Sequence, residues 1–323
     1  MGDHAGASGQ QLRADHEVAA ALCLKASVRK DLHWISRDLR PAPQPVTCKD
    51  LREAKEAWWG DEGLSATELA TLGELGSVLP ALEELGLIET TAAAGPDGVQ
   101  RLAAGLSAGA LQAVTALFMY MHVGDAGASA LAAALGRGAL PRLKFLSLNN
   151  AAIGDAGLVA LAPALRRLPA LESLSLDCSC FGDEGLAALV APPTPTGALP
   201  PPTGVLARLK GLDLGVTQIS DCGAVMLTKL KELSLDGTQV TDAGWAALAS
   251  AIDGGKLPAL ETLRLSSILH LPAPPGIAAA YEAFWAQKRS RTGSNAYLAA
   301  ASRDIVTRAT NAVLATGRPP ARA

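Results

Sequence analysis

Leucine and other aliphatic residues return along this chain at fixed intervals. Counting from Leu143, apolar side chains stand at Leu146, Leu148, Ile153, Leu161 and Leu165, with Gly157 among them. Counting from Leu171, the same offsets give Leu174, Leu176, Phe181, Gly185 and Leu189, a period of 171 − 143 = 28 residues. The pattern recurs at Leu209, Leu212, Leu214, Ile219, Gly223 and Leu227, then at Leu230, Leu233, Leu235, Val240, Gly244 and Leu248. A half-repeat closes the series with Leu260, Leu263 and Leu265. Upstream copies are looser. One holds Leu82, Leu85 and Leu87, with extra residues in its turn around Gly95-Pro96-Asp97-Gly98. The next holds Val114, Leu117, Met119, Val123, Gly127 and Leu131, with a loop shorter by one residue. A Leu three places before the start fixes the register: Leu79, Leu111, Leu140, Leu168 and Leu257. Gly60-Asp61-Glu62-Gly63 reads as one further, degenerate turn.

The LxxLxL portion alternates with period two, so its Leu side chains face one side of a short strand. The Leu/Ala run that follows recurs every three or four residues, as a helix does. Asp155, Asp183, Asp221 and Asp242 each stand two residues before the Gly and are expected to N-cap their own helices. The Gly is expected to allow close approach of the helix start to the neighbouring turn. One such unit cannot hide its apolar groups from water, so the units must stack. Strands then form a parallel sheet inside a curve, with helices outside.

These residues resemble leucine-rich repeats of the ribonuclease-inhibitor type, over Leu79 to Ser267 in seven registers. Similar repeats occur in Ran GTPase-activating proteins and NOD-like receptors. The resemblance implies an α/β horseshoe solenoid, with parallel strands on the concave face and helices on the convex face. It also implies a protein-binding surface rather than an enzyme.

The expected organisation is an N-terminal helical or flexible flank over 1–45, a cap with the degenerate repeat over 46–78, about seven repeats over 79–267, and a C-terminal cap helix with a basic helical tail over 268–323. In the first segment Leu24, Val28, Leu32, Ile35 and Leu39 mark a helical stripe that Pro41, Pro43 and Pro45 end. This helix is expected to dock on or near the N-terminal cap. A Pro-rich insertion, 191–204, stretches the spacing from Leu171 to Leu209 and is expected to be a surface loop. The interval from Leu209 to Leu230 is short, so that unit should lose most of its helix. After Pro274-Pro275-Gly276, Ile277, Tyr281, Phe284 and Trp285 form a stripe suited to cover the last open repeat. A second amphipathic helix is expected from about Asn295 to Ala315.

Composition supports a packed array. Hydrophobic residues make 49% of the chain, aromatics 4% and charged residues 18%, so the core is aliphatic and full disorder is excluded. The net charge of −3 does not suit a general nucleic-acid coat. It hides an uneven distribution: +5 from Ala273 onward and −8 before it. That basic tail offers nucleic acid or an anionic membrane surface as a lesser alternative. No apolar run reaches the roughly 18 residues of a membrane span. Neither a signal peptide nor N-myristoylation at Gly2 is expected, since Gly6 stands at that motif's Ser/Thr position. Cys23, Cys48, Cys178, Cys180 and Cys222 are odd in number and scattered, as reduced cytoplasmic or nuclear thiols are. No P-loop, GxSxG, HExxH or paired CxxC is present, so no catalytic residue, metal, cofactor or small-molecule substrate is expected. His122, at the Asn/Cys position of its repeat, is expected to be buried.

Binding chemistry is expected on the concave face, at offsets two, four and six from each starting Leu. Phe118, Tyr120 and Phe145 gather aromatics on two adjacent strands, with Asn149 beside them. Asp177, Asp213, Glu232 and Asp236 continue as an acidic lane. The expected partner is a protein offering an apolar anchor beside basic residues. A small GTPase is the alternative implied by the resemblance, and only Asn149 and Asn150 suggest the rim such a regulator would use.

Overall fold

The computed structural model describes residues 26–29, 47–60, 64–75, 79–88, 94–190, 208–224, 227, 230–265 and 275–292. Nine strands form one open sheet in chain order: β1 (Ala26–Arg29), β2 (Glu56–Trp59), β3 (Glu84–Ile88), β4 (Ala116–Tyr120), β5 (Phe145–Ser147), β6 (Ser173–Ser175), β7 (Gly211–Asp213), β8 (Glu232–Ser234) and β9 (Thr262–Arg264). Strands β2 to β9 are parallel, and β1 lies antiparallel on β2, pairing Ala26 with Trp59 and Arg29 with Glu56. Helices follow the strands: α1 (Cys48–Glu53), α2 (Ala66–Leu75), α3 (Gly95–Gly105), α4 (Gly124–Gly136), α5 (Asp155–Arg167), α6 (Asp183–Val190), α7 (Asp221–Ala224), α8 (Asp242–Asp253) and α9 (Pro275–Thr292). This is the expected leucine-rich-repeat solenoid. Its core is the continuous Leu ladder between sheet and helices, from Leu82, Leu85 and Leu87 through Leu143, Leu146 and Leu148 to Leu260, Leu263 and Leu265, all buried. A buried Leu contributes roughly 1.5–3 kcal/mol, and each unit is buried in part by its neighbours.

Among the described residues, the unit between Leu209 and Leu230 has the four-residue α7 as its helix. The Pro-rich insertion, residues Leu24, Leu32, Ile35 and Leu39 of the N-terminal stripe, and the second C-terminal helix lie outside the described residues.

Three expectations are corrected. Ala26–Arg29 is a strand, not part of a helix. The open edge of β2 presents unpaired backbone groups, and an antiparallel strand satisfies them. His122 is exposed, and Met121 occupies the interior instead. The loop after β4 is one residue shorter, so the inward position falls one residue earlier.

The third correction concerns the aspartates. Asp155 is the first residue of α5, whose N-cap is Gly154. Its carboxylate accepts the N–H groups of Gly182 (2.9 Å) and Gly185 (2.7 Å) at the start of the next unit's helix. Asp125 likewise accepts from Gly154 N–H (2.7 Å), Asp221 from the N–H and hydroxyl of Thr241 (both 2.7 Å), and Asp242 from Gly276 N–H (3.1 Å). Asp183 accepts from Ser220 N–H (2.9 Å) and from its hydroxyl. Each aspartate therefore stitches its unit to the next one. Helix α9 is received by the same device, through Asp242 and Gly276, and seals the core with Ile277 and Phe284 while the Tyr281 hydroxyl bridges the N–H and C=O of Leu265.

Candidate functional site on the concave face

Sheet register sorts the concave side chains into rows. One row runs Trp58, Gly86, Phe118, Ser147, Ser175, Asp213, Ser234 and Arg264. The adjacent row runs Glu56, Glu84, Ala116, Phe145, Ser173, Gly211, Glu232 and Thr262. Alternation along each strand sends the Leu residues inward and these residues to the opposite face.

The first row begins with aromatic rings. Phe118 is central: its ring centroid lies 4.9 Å from Trp58, 4.9 Å from Phe145 and 6.3 Å from Tyr120. All four rings are half-buried. Trp58 and Phe118 stand two strands apart and meet because Gly86 lies between them. A Cβ at Gly86 would fall inside the Trp58 indole, so the bare backbone is what lets the indole lie over β3. Such aromatic pairs add roughly 0.5–1.5 kcal/mol beyond their buried area.

The structure thus brings together Phe118, Tyr120 and Phe145, which the pattern singled out, and adds Trp58, which it did not. A signal for Trp58 was present. Glu56 pairs with Glu84, an interval of 84 − 56 = 28 residues. Extending the repeat period back from Leu82, Leu85 and Leu87 lands on Ala54, Ala57 and Trp59, all buried. A Leu-based template misses the unit because none of these is Leu.

Asn149 accepts the Ser175 hydroxyl at 2.6 Å, tying the aromatic end to the next strand. Ser147, between Phe118 and Ser175 in the row, is wholly buried and its Oγ has no partner.

Beyond it the face is acidic. Asp177 and Asp213 are half-buried and Asp236 lies close by; Glu232 is exposed. Burial first, then the charges of Asp213 and Asp236, push the Asp177 carboxyl above its ordinary value, although its hydrogen bond from the Cys178 thiol (3.3 Å) works the other way. The thiol responds in turn: burial and then Asp177 raise Cys178 to about 11. At the opposite end Glu84 is also raised, by burial first and then by Glu56 and Glu83. A shallow groove of about 170 Å³ opens between Phe145 and Arg264, over Gly211, Asp213 and Glu232.

Among known proteins, residues 140–162, 168–190 and 227–249 match the family model of the leucine-rich repeat. The matched residues fall on the repeating strands and helices described above, which form a leucine-rich-repeat solenoid. No curated protein sequence matches it. Among solved structures it is similar to the Leiomodin-1 Actin-Binding Site 2 (ABS2), at 16% identity and TM-score 0.34, over 47% of this chain and 86% of that one. It is also similar to an internalin (inlF) from Listeria monocytogenes, at 17% identity and TM-score 0.24, over 83% of this chain and 92% of that one. No helix among the described residues is long and apolar enough to cross a membrane.

Proposed function

We propose that this protein is a non-enzymatic scaffold that binds a partner protein on its concave face. The observation that carries the reading is the contact of Trp58, Phe118, Phe145 and Tyr120 across the open sheet, half-exposed and followed by the carboxylates of Asp177, Asp213, Glu232 and Asp236. Clustered aromatics with a polar rim have the composition of binding hot spots. A rigid sheet holds them in place before binding, so little ordering entropy is lost on association. The free, exposed thiols of Cys178, Cys180 and Cys222 support a reducing compartment, cytoplasmic or nuclear. The test is the combined Phe118→Ala, Tyr120→Ala and Phe145→Ala variant. It should fold, as judged by circular dichroism, yet fail to capture the partner isolated with the wild-type protein. Undiminished capture by a folded triple variant overturns the assignment.

A further inference from the structure

Charge is handled differently on two neighbouring rows of this sheet. In the row just before the strands, cations and acids neutralise one another: Lys55 pairs with Glu83 (3.4 Å), Lys210 with Glu172 (2.6 Å) and Lys231 with Glu261 (2.7 Å). On the concave face, Asp177, Asp213, Glu232 and Asp236 form no ion pair with any described residue. Lys210 and Lys231, just before β7 and β8, are held in that row by Glu172 and Glu261. Arg264 stands beyond Glu232 at the far wall of the groove and leaves the floor between Phe145 and Glu232 without a cation. That floor is Gly211, which gives a long side chain room to lie flat. The fold therefore places several carboxylates beside an aromatic wall; burial first, and then the charges of Asp213 and Asp236, hold the Asp177 carboxyl above its ordinary value.

At the seam between rings and acids, the buried Ser147 Oγ has no hydrogen-bond partner. It lies on the straight row that joins Phe118 on β4 to Asp213 on β7 through Ser175. Three strand steps separate the two ends, about 14 Å at ~4.8 Å per step, which an extended peptide covers in about four residues.

Resting on the concave-face reading, we propose that the partner contributes a basic extended segment. An aromatic or large aliphatic residue sits on the Phe118 cluster. A Lys or Arg about four residues away lies along Phe145, with its charge among Asp213, Glu232 and Asp236. The cation's stem meets an aromatic face and its head meets unpaired carboxylates, so both parts of the side chain find complementary surface.

The test selects a phage-displayed library of random nine-residue peptides against the full-length protein. Enriched sequences should carry the apolar and basic residues at that spacing. A synthetic peptide of the consensus, followed by fluorescence anisotropy, should weaken about tenfold with the Asp213→Asn, Asp236→Asn variant, which should also lose most of its salt dependence. It should lose binding with Phe118→Ala, Phe145→Ala. Uncharged peptides that bind through the rings and ignore the Asn substitutions overturn this inference and leave the concave-face reading standing. Peptides indifferent to both sets of substitutions overturn both. A library that enriches no more on the wild type than on the Phe118→Ala, Phe145→Ala variant overturns this inference.

Discussion

The Asp155 carboxylate sits between two repeats, accepting the N–H groups of Gly182 and Gly185 while itself opening α5. A Cβ on Gly185 would stand 2.9 Å from Asp155 Oδ1, so the glycine is needed because the aspartate of the preceding unit occupies the space a side chain would take. The same relation joins Asp125 to Gly157, Asp183 to Gly223 and Asp221 to Gly244. The recurring Asp-x-Gly segment is therefore an inter-repeat clamp. It offsets backbone donors at each helix start and places negative charge at the positive end of the helix.

This relation predicts non-additive energetics. Asp155→Ala should cost about 2 kcal/mol, because two backbone donors lose their acceptor. Gly185→Ala should cost a similar amount in the wild type. It should cost less in the Asp155→Ala background, where the obstructing carboxylate is gone. Urea unfolding of the two single variants and the double variant measures the coupling; simple additivity would show that the carboxylate does not set the glycine requirement.

The ring cluster predicts an effect at a residue that contributes no side chain. Gly86→Ala should push the Trp58 indole off β3 and break its contact with Phe118. We expect a shift in tryptophan emission that is absent when the same substitution is made in a Trp58→Phe background. Partner binding should fall as it does for Phe118→Ala. An unchanged spectrum would mean the indole does not rest on Gly86.

Backbone strain marks another site. Asn150 (φ 57°), Cys178 (φ 57°), Val216 (φ 50°) and Gly237 (φ 67°) occupy the same turn position after successive strands, in the left-handed region. Val216 is β-branched and 43% exposed, so it bears the conformational cost without burying its side chain. Val216→Gly or Val216→Asn should stabilise the protein by about 1 kcal/mol, raising its midpoint in thermal melts. A lower midpoint for both would place a stabilising contact at the Val216 side chain.

The acidic lane predicts a pH dependence of defined sign. Because the folded pKa of Asp177 is raised, the native state holds this proton more tightly than the unfolded chain does. The destabilisation is absent below the unfolded value of about 3.9, grows as pH rises through the folded value, and is complete at neutral pH. Asp177→Asn should therefore stabilise the free protein by a few tenths of a kcal/mol at pH 7 and by nothing at pH 3. The same substitution removes a charge that raises the Cys178 thiol. Alkylation of Cys178 by iodoacetamide at pH 8 should therefore be faster in Asp177→Asn than in the wild type. Rates that do not change would separate the thiol's behaviour from Asp177.

The repeat, the strands from β3 to β9 and the side to which their residues point are legible in the chain alone. Period-two alternation at Leu146 and Leu148 leaves only one arrangement that hides the leucines, and a unit that cannot close its own core must stack. The alternation therefore also places Phe118, Tyr120 and Phe145 on one face. Three features were decided only in the tertiary structure. Asp155 stands where a capping residue is expected, yet its acceptor geometry is met by donors in the next unit, and no local pattern encodes that distance. Met121 rather than His122 turns inward because a loop one residue shorter must still deliver Val123 to the core. Trp58 joins the ring cluster through an interval of 28 residues that carries Ala57 and Trp59 in place of Leu, and it reaches Phe118 only because Gly86, on the strand between them, has no side chain. Local periodicity fixes which face a residue occupies; which residues touch across that face depends on packing between units distant in the chain.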